Sequence, residues 1–196
     1  MSLIEFLLGI PAIMLATTIH EFTRAAVSTA LGDKLPKEEG RLTMNPFNHF
    51  EPIGMLLMLA NGFGWGRPVN TSSLYYKDRK KGVLITAIAP TAANLVFAVI
   101  AAFLVKVFEN NYWLGIFFIQ LSHYNFCLLV YNLLPVSPMD CVKVLSVSIS
   151  ANSYFKLMQY EKVIQMIFLF VLFLGAGGFF ETIAYWLFYA VYSVFI

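Results

Sequence analysis

Three ionisable residues, His20, Glu21 and Arg24, fall within five positions of an otherwise apolar stretch that reads HEFTR. Positions 20 and 24 lie one turn apart on the same helix face. In an HExxH helix that face presents two imidazoles to zinc, and the intervening glutamate handles the catalytic water. Here arginine holds the second of those positions, and its guanidinium stays protonated and has no lone pair for a metal. By itself the segment is either an altered metal helix or an ion-pair cluster within a membrane, where charges are costly and need partners. Four more residues invite chemistry: His49 in a loop, and Asn94, His123 and Asn132 in apolar segments. A loop or core histidine most often satisfies a hydrogen bond, and asparagines in spans most often join helices.

These residues need elements to position them, and composition says what kind. The 196-residue chain is 59% hydrophobic and 12% charged, with a mean hydropathy of +0.73, which excludes an ordinary water-soluble domain. A net charge of +2 offers no basis for binding nucleic acid. Two cysteines, Cys127 and Cys141, cannot build a disulfide framework. The start carries Glu5 and no Lys or Arg before its apolar run, so it reads as a retained span rather than a cleaved signal.

Residues 3–31 are long enough to cross a bilayer, with a kink expected at Pro11. Residues 52–64 are apolar but too short to cross, which predicts a re-entrant hairpin lining a cavity. Residues 83–105 and 112–134 form two full spans, and 139–161 read as interfacial. Residues 163–174 and 180–196 make a closing pair around Gly175, Gly177 and Gly178. The expected fold is an all-α polytopic membrane protein. It has about five transmembrane helices plus the hairpin, in one membrane domain over residues 1–196.

Further motifs follow HEFTR in order. They are GRLTMNPFNHFEPIG, with Asn45, Pro46, His49, Pro52 and Gly54; FGWGRPV from Phe63; AIAPTAAN, ending at Asn94; and NLLPVSPMDC, from Asn132 to Cys141. Over roughly residues 16–145 the chain resembles the site-2 family of intramembrane zinc proteases, in its short bacterial-type members, and the expected core is site-2-protease-like. The resemblance implies His20 and Asp140 as metal ligands, zinc as the cofactor and Glu21 as the base for water. It also implies that Asn94 steadies a substrate carbonyl or oxyanion. The implied partners are the lipid bilayer and transmembrane segments of substrate or client proteins, in a bacterial cell membrane.

Three positions depart from the family pattern. Arg24 stands at the second zinc histidine, Pro90 and Thr91 replace a Gly-Pro, and Cys141 replaces the glycine after the ligand aspartate. Cys141 is metal-competent, but its adjacency to Asp140 makes joint ligation awkward. The resemblance thus implies an intramembrane metalloprotease with impaired or lost zinc-dependent activity. The alternative is a pseudoprotease that binds membrane helices without cutting them, with an unrelated transporter or scaffold as a third reading. Transporters usually carry paired repeats, and none is visible in the sequence.

With the hairpin returning to its own side, loops 32–51, 66–82 and 139–162 share one face and carry eleven Lys and Arg residues, from Lys34 to Lys162. Only Lys106 falls opposite, so by the positive-inside rule the basic face is cytoplasmic and the N-terminus outside. Reporter fusions after Lys81 and after Glu109 are expected to give opposite sidedness, and the same readout from both would overturn this topology.

Overall fold

A computed structural model describes residues 2–196 and contains helices and loops, with no strand among the described residues. Helix α1 (Leu3–Ala30) starts at a reciprocal cap, in which Ser2 Oγ accepts from the Glu5 amide at 3.2 Å and Glu5 accepts from the Ser2 amide at 2.7 Å. It ends where Gly32 takes φ 107°, a conformation that L side chains avoid. A short helix, α2 (Leu35–Glu38), follows. Helix α3 (Pro52–Asn61) comes next and stops at Gly62, which is left-handed with φ 68°.

Two long helices form the rest of the centre. Asp78 caps α4 (Arg79–Val107) by accepting from the Lys81 amide, and Asn111 caps α5 (Tyr112–Asn132) by accepting from the Leu114 amide. The buried face of α4 repeats small residues, among them Gly82, Thr86, Ala87, Pro90, Ala98, Ala101 and Ala102. This spacing brings the helix backbones close, and apolar spans associate by such packing rather than by hydrophobic force. Ser122 of α5 accordingly reaches the Ala98 carbonyl of α4 at 2.8 Å. Helices α1, α4 and α5 pack against one another pairwise, and α9 (Gly177–Tyr192) covers α5 and α4.

Between α5 and α9 lie α6 (Asp140–Ser148), α7 (Ala151–Gln159) and α8 (Glu161–Val171). Among the described residues three helices, α1, α4 and α5, are long and apolar enough to cross a membrane. A fourth span results if α7 and the run Glu161–Gly175, bent by 58°, are counted together. Five full spans are therefore not what the helix lengths show. The apolar residues after 150 are divided by the bend near Tyr160 and by Gly175, whose φ of 111° breaks the helix before α9. The resulting pieces, Glu161–Gly175 and the 16 residues of α9, fall short of the roughly 20 that a helical span needs.

The segment expected as a hairpin is the ten-residue helix α3 followed by an extended return from Phe63 to Val69. The two limbs touch through glycine. A Cβ on Gly54 would land on the Trp65 carbonyl oxygen, and one on Gly64 on the Gly54 carbonyl oxygen and Met58 Cβ. Backbone cannot rotate away as a side-chain tip can, so overpacking here should exceed the usual 1–3 kcal/mol. Gly64→Ala is expected to lower the thermal midpoint in detergent by several degrees or abolish folded yield. Gly115→Ala, whose Cβ would meet nothing nearer than 3.8 Å, should leave it unchanged, and equal behaviour of the two variants would refute the tight pairing.

Candidate functional site

His20, Glu21 and Arg24 occupy the buried face of α1, at 4%, 5% and 3% exposure, and Asp140 at the start of α6 is 2% exposed. Asp140 is carried there by the turn after α5. Asn132, the last residue of α5, accepts from the Asp140 amide at 3.2 Å and donates to the Leu128 carbonyl. The Pro135 to Met139 connection thereby closes back onto α1. His20 Nε2 then lies 3.1 Å from Asp140 Oδ2.

Arg24 fills the space these groups share. Its Nη2 is 2.8 Å from His20 Nε2, 2.9 Å from Asp140 Oδ2 and 2.7 Å from Asp140 Oδ1. Its Nε faces Glu21 Oε2 at 3.8 Å, an ion-pair contact too long for a hydrogen bond. Lys143, one turn along α6, approaches Asp140 Oδ1 at 3.5 Å. Two carboxylates thus face two cations, the balance that buried ionised groups require.

Asn94 is fully buried on α4. Its Nδ2 donates to the Asn125 side chain at 2.7 Å and to the Ala16 carbonyl at 3.2 Å, so its Oδ1 is the atom that meets His20 Nδ1 at 2.6 Å. That contact assigns the proton of His20 to Nδ1 and leaves the Nε2 lone pair to accept from Arg24. With both amide hydrogens engaged, Asn94 orients His20 and joins α1, α4 and α5. Asn125 in turn donates to the Leu121 carbonyl.

The extended return lies over this face of α1. Val69 N donates to Glu21 Oε2 at 2.8 Å, so the Glu21 carboxylate anchors backbone. A Cβ on Gly66 would come within 3.0 Å of Thr17 Cβ, which ties the close approach to glycine. Arg41 clasps the same segment by donating to the Arg67 and Pro68 carbonyls at 2.6 and 3.1 Å. The Arg67 amide donates to the His49 carbonyl. Sequence reasoning counted Arg41 only among the basic loop residues, and only the fold reveals its acceptors.

His49 is fully buried, and its ring bonds to groups outside the cluster. Its Nε2 faces the Thr43 carbonyl at 2.8 Å and its Nδ1 faces Arg41 at 3.4 Å. Burial, aided by the Arg41 guanidinium and opposed by the Thr43 hydrogen bond, holds its pKa below the ordinary value. His123 also lies away from the cluster, 3.4 Å from Cys127 Sγ and 3.9 Å from Glu181. A narrow cleft opens beside the cluster, lined among others by Thr17, Glu21, Trp65, Pro68 and Met139.

The structure thus brings a His-Glu pair buried on an apolar helix to an aspartate from a later helix, in a helical protein with three helices long and apolar enough to cross a membrane. No family profile and no solved structure matches the chain. Two curated proteins do. One is the "Putative zinc metalloprotease YwhC" of Bacillus subtilis, 30% identical over 187 residues that cover 91% of this chain and 84% of that protein. The other is the "Putative zinc metalloprotease Rip2" of Mycolicibacterium smegmatis, 30% identical over 145 residues that cover 69% of this chain and 54% of that protein. The chain belongs to the zinc-metalloprotease family that these two represent.

Removing one member of a buried ion pair strands its partner, at about 3–5 kcal/mol. Arg24→Met and Asp140→Asn are each expected to destabilise the protein strongly. The double variant keeps Glu21 against Lys143 and should be milder than the sum by about 1–3 kcal/mol. Denaturant unfolding in micelles measures this, and strict additivity would show that the pair is not coupled.

Proposed function

We propose that this chain is a site-2-protease-like membrane protein that has replaced the catalytic metal by Arg24 and binds transmembrane segments without zinc-dependent hydrolysis. The observation that carries this reading is the position of Arg24 Nη2, within 2.7–2.9 Å of His20 Nε2 and both Asp140 oxygens. Zinc would need lone pairs from those same atoms at about 2.0–2.2 Å. A guanidinium N–H occupies their convergence point, offers no lone pair and repels a divalent cation. With the guanidinium at that point, these side chains suit a metal-free ion cluster better than a zinc site.

The role of the remaining residues follows from what they touch. Glu21, the general base in the family reading, pairs with Arg24 and holds the Val69 amide. Asn94 positions His20. Recognition of apolar helices is supported by an open groove between the return segment and α8, lined mainly by Phe63, Trp65, Pro138, Phe168 and Leu169. Residues 52–69 at membrane depth, a multi-pass topology with the basic loops cytoplasmic and a place in a bacterial cell membrane complete the proposal.

Zinc content tests it. The purified protein is expected to hold far less than one zinc per chain. Arg24→His, which supplies a second imidazole one turn from His20, should approach one. Stoichiometric zinc in the unmodified protein, lost on His20→Ala or Asp140→Ala, would overturn the proposal in favour of a working metalloprotease.

A further inference from the structure

The segment between the extended return and α4 sets exposed apolar side chains beside exposed cations. Leu74 and Tyr75, on the single helical turn Ser73–Tyr75, are 69% and 58% exposed. Lys77, Arg79, Lys80 and Lys81 follow directly, and all are exposed. Asp78 pairs with Lys81 at 3.7 Å, and among the described residues no carboxylate lies within ion-pair distance of Lys77, Arg79 or Lys80. The segment therefore presents uncompensated positive charge next to apolar tips.

This presentation is fixed by the fold. Tyr76 is buried, its hydroxyl lies 2.7 Å from Ser28 Oγ of α1, and its ring lies so close to Gly82 of α4 that a Cβ there would overlap it. Ser72 N donates at 2.7 Å to Asp33 Oδ2, itself held by Ser28 Oγ at 2.8 Å. The end of α1 and the start of α4 thus grip the backbone on both sides of Leu74 and Tyr75, and those two side chains remain outside.

The start of α4 belongs at a bilayer surface. This helix is long and apolar enough to cross a membrane, and its exposed residues Ile85, Ile88 and Leu95 recur at the spacing of one helix face. Lys81 stands one turn before Ile85 on that face. Its ammonium therefore heads the stripe that faces acyl chains, at the level where a basic side chain reaches headgroups. A soluble acidic partner would answer only the charges of the segment, whereas an anionic leaflet answers both the charges and the apolar tips.

We propose that residues 73–81 form a docking surface for anionic phospholipid, with Leu74 and Tyr75 entering the interface of one leaflet and Lys77, Arg79 and Lys80 holding headgroup phosphates. The inference rests on the reading of α4 as a membrane span and is independent of whether the Arg24 cluster holds zinc.

The test uses the full chain. Insertion into phosphatidylcholine nanodiscs comes first, and failure to insert would overturn the span and this proposal with it. Lipid retained from an equimolar mixture of phosphatidylglycerol and phosphatidylcholine is then counted by native mass spectrometry. The salt is held at about 0.15 M, where a screening length of about 8 Å confines the effect to nearby charges. Phosphatidylglycerol is expected to be enriched at least about fivefold, the worth of one basic residue at an anionic surface. Lys77→Gln, Arg79→Gln and Lys80→Gln together should abolish the preference. The charge-matched set Lys37→Gln, Lys156→Gln and Lys162→Gln should change it less than about twofold.

A fluorescent amino acid in place of Leu74 reads the apolar half of the surface. It should be quenched by lipid carrying a nitroxide high on its acyl chain and shielded from iodide in the water, and the reverse would overturn the insertion. Protein that inserts but shows no lipid preference, or loses it equally in both triple variants, would overturn the proposal while leaving the span intact. Binding of soluble poly-glutamate in place of phosphatidylglycerol would overturn it in favour of an acidic protein partner.

Discussion

A guanidinium buried between two carboxylates and an imidazole is the constraint on which the rest of the structure depends. Arg24 cannot be neutralised by losing its proton, so α1 can be buried at this point only if acceptors come to it. Glu21 comes from the same helix, and Asp140 comes from a helix that begins 116 residues later. The turn after α5, the hydrogen bond from the Asp140 amide to Asn132 and the packing of α6 on α4 all serve that meeting. Lys143, partly exposed, also approaches the Asp140 carboxylate. An ion cluster of this kind is weak evidence for stability, because an apolar replacement of similar shape often does as well. It is strong on register, since a one-residue slip of α1 or α6 would strand a charge.

Around that cluster the polar contacts are mostly between side chain and backbone, and they fix segments that have no regular structure of their own. Val69 on Glu21, Arg67 and Pro68 on Arg41, and the Arg67 amide on the His49 carbonyl hold the extended return against α1. Non-helical backbone in apolar surroundings needs such partners for its amides and carbonyls. The small residues of α4 and the glycines 54, 64 and 66 do the complementary work by removing side chains where backbones must touch. Function and fold therefore draw on the same atoms.

Much of this was legible in the chain itself. Hydropathy marks the three long spans, because apolar length is a local property and the bilayer sets the threshold. The HEFTR segment reveals the chemistry at stake, because residues 20 and 24 share a helix face whatever else the fold does. The ordered motifs resemble those of the site-2 family, and the arginine at position 24 is read directly from HEFTR. Tertiary structure alone decided the rest, because it depends on contacts between residues far apart in the chain. One such outcome is that Arg24 Nη2 sits at the meeting point of His20 and Asp140, so that the guanidinium fills the centre instead of pointing away from it. Another is that Asn94 spends its hydrogen bonds on His20, Asn125 and Ala16, and a third that Arg41 clasps a loop 26 residues away. The division of the last apolar stretch into short helices was also settled there, by the left-handed Gly175 and the bend near Tyr160, since hydropathy measures how apolar a run is and carries no record of where its backbone turns.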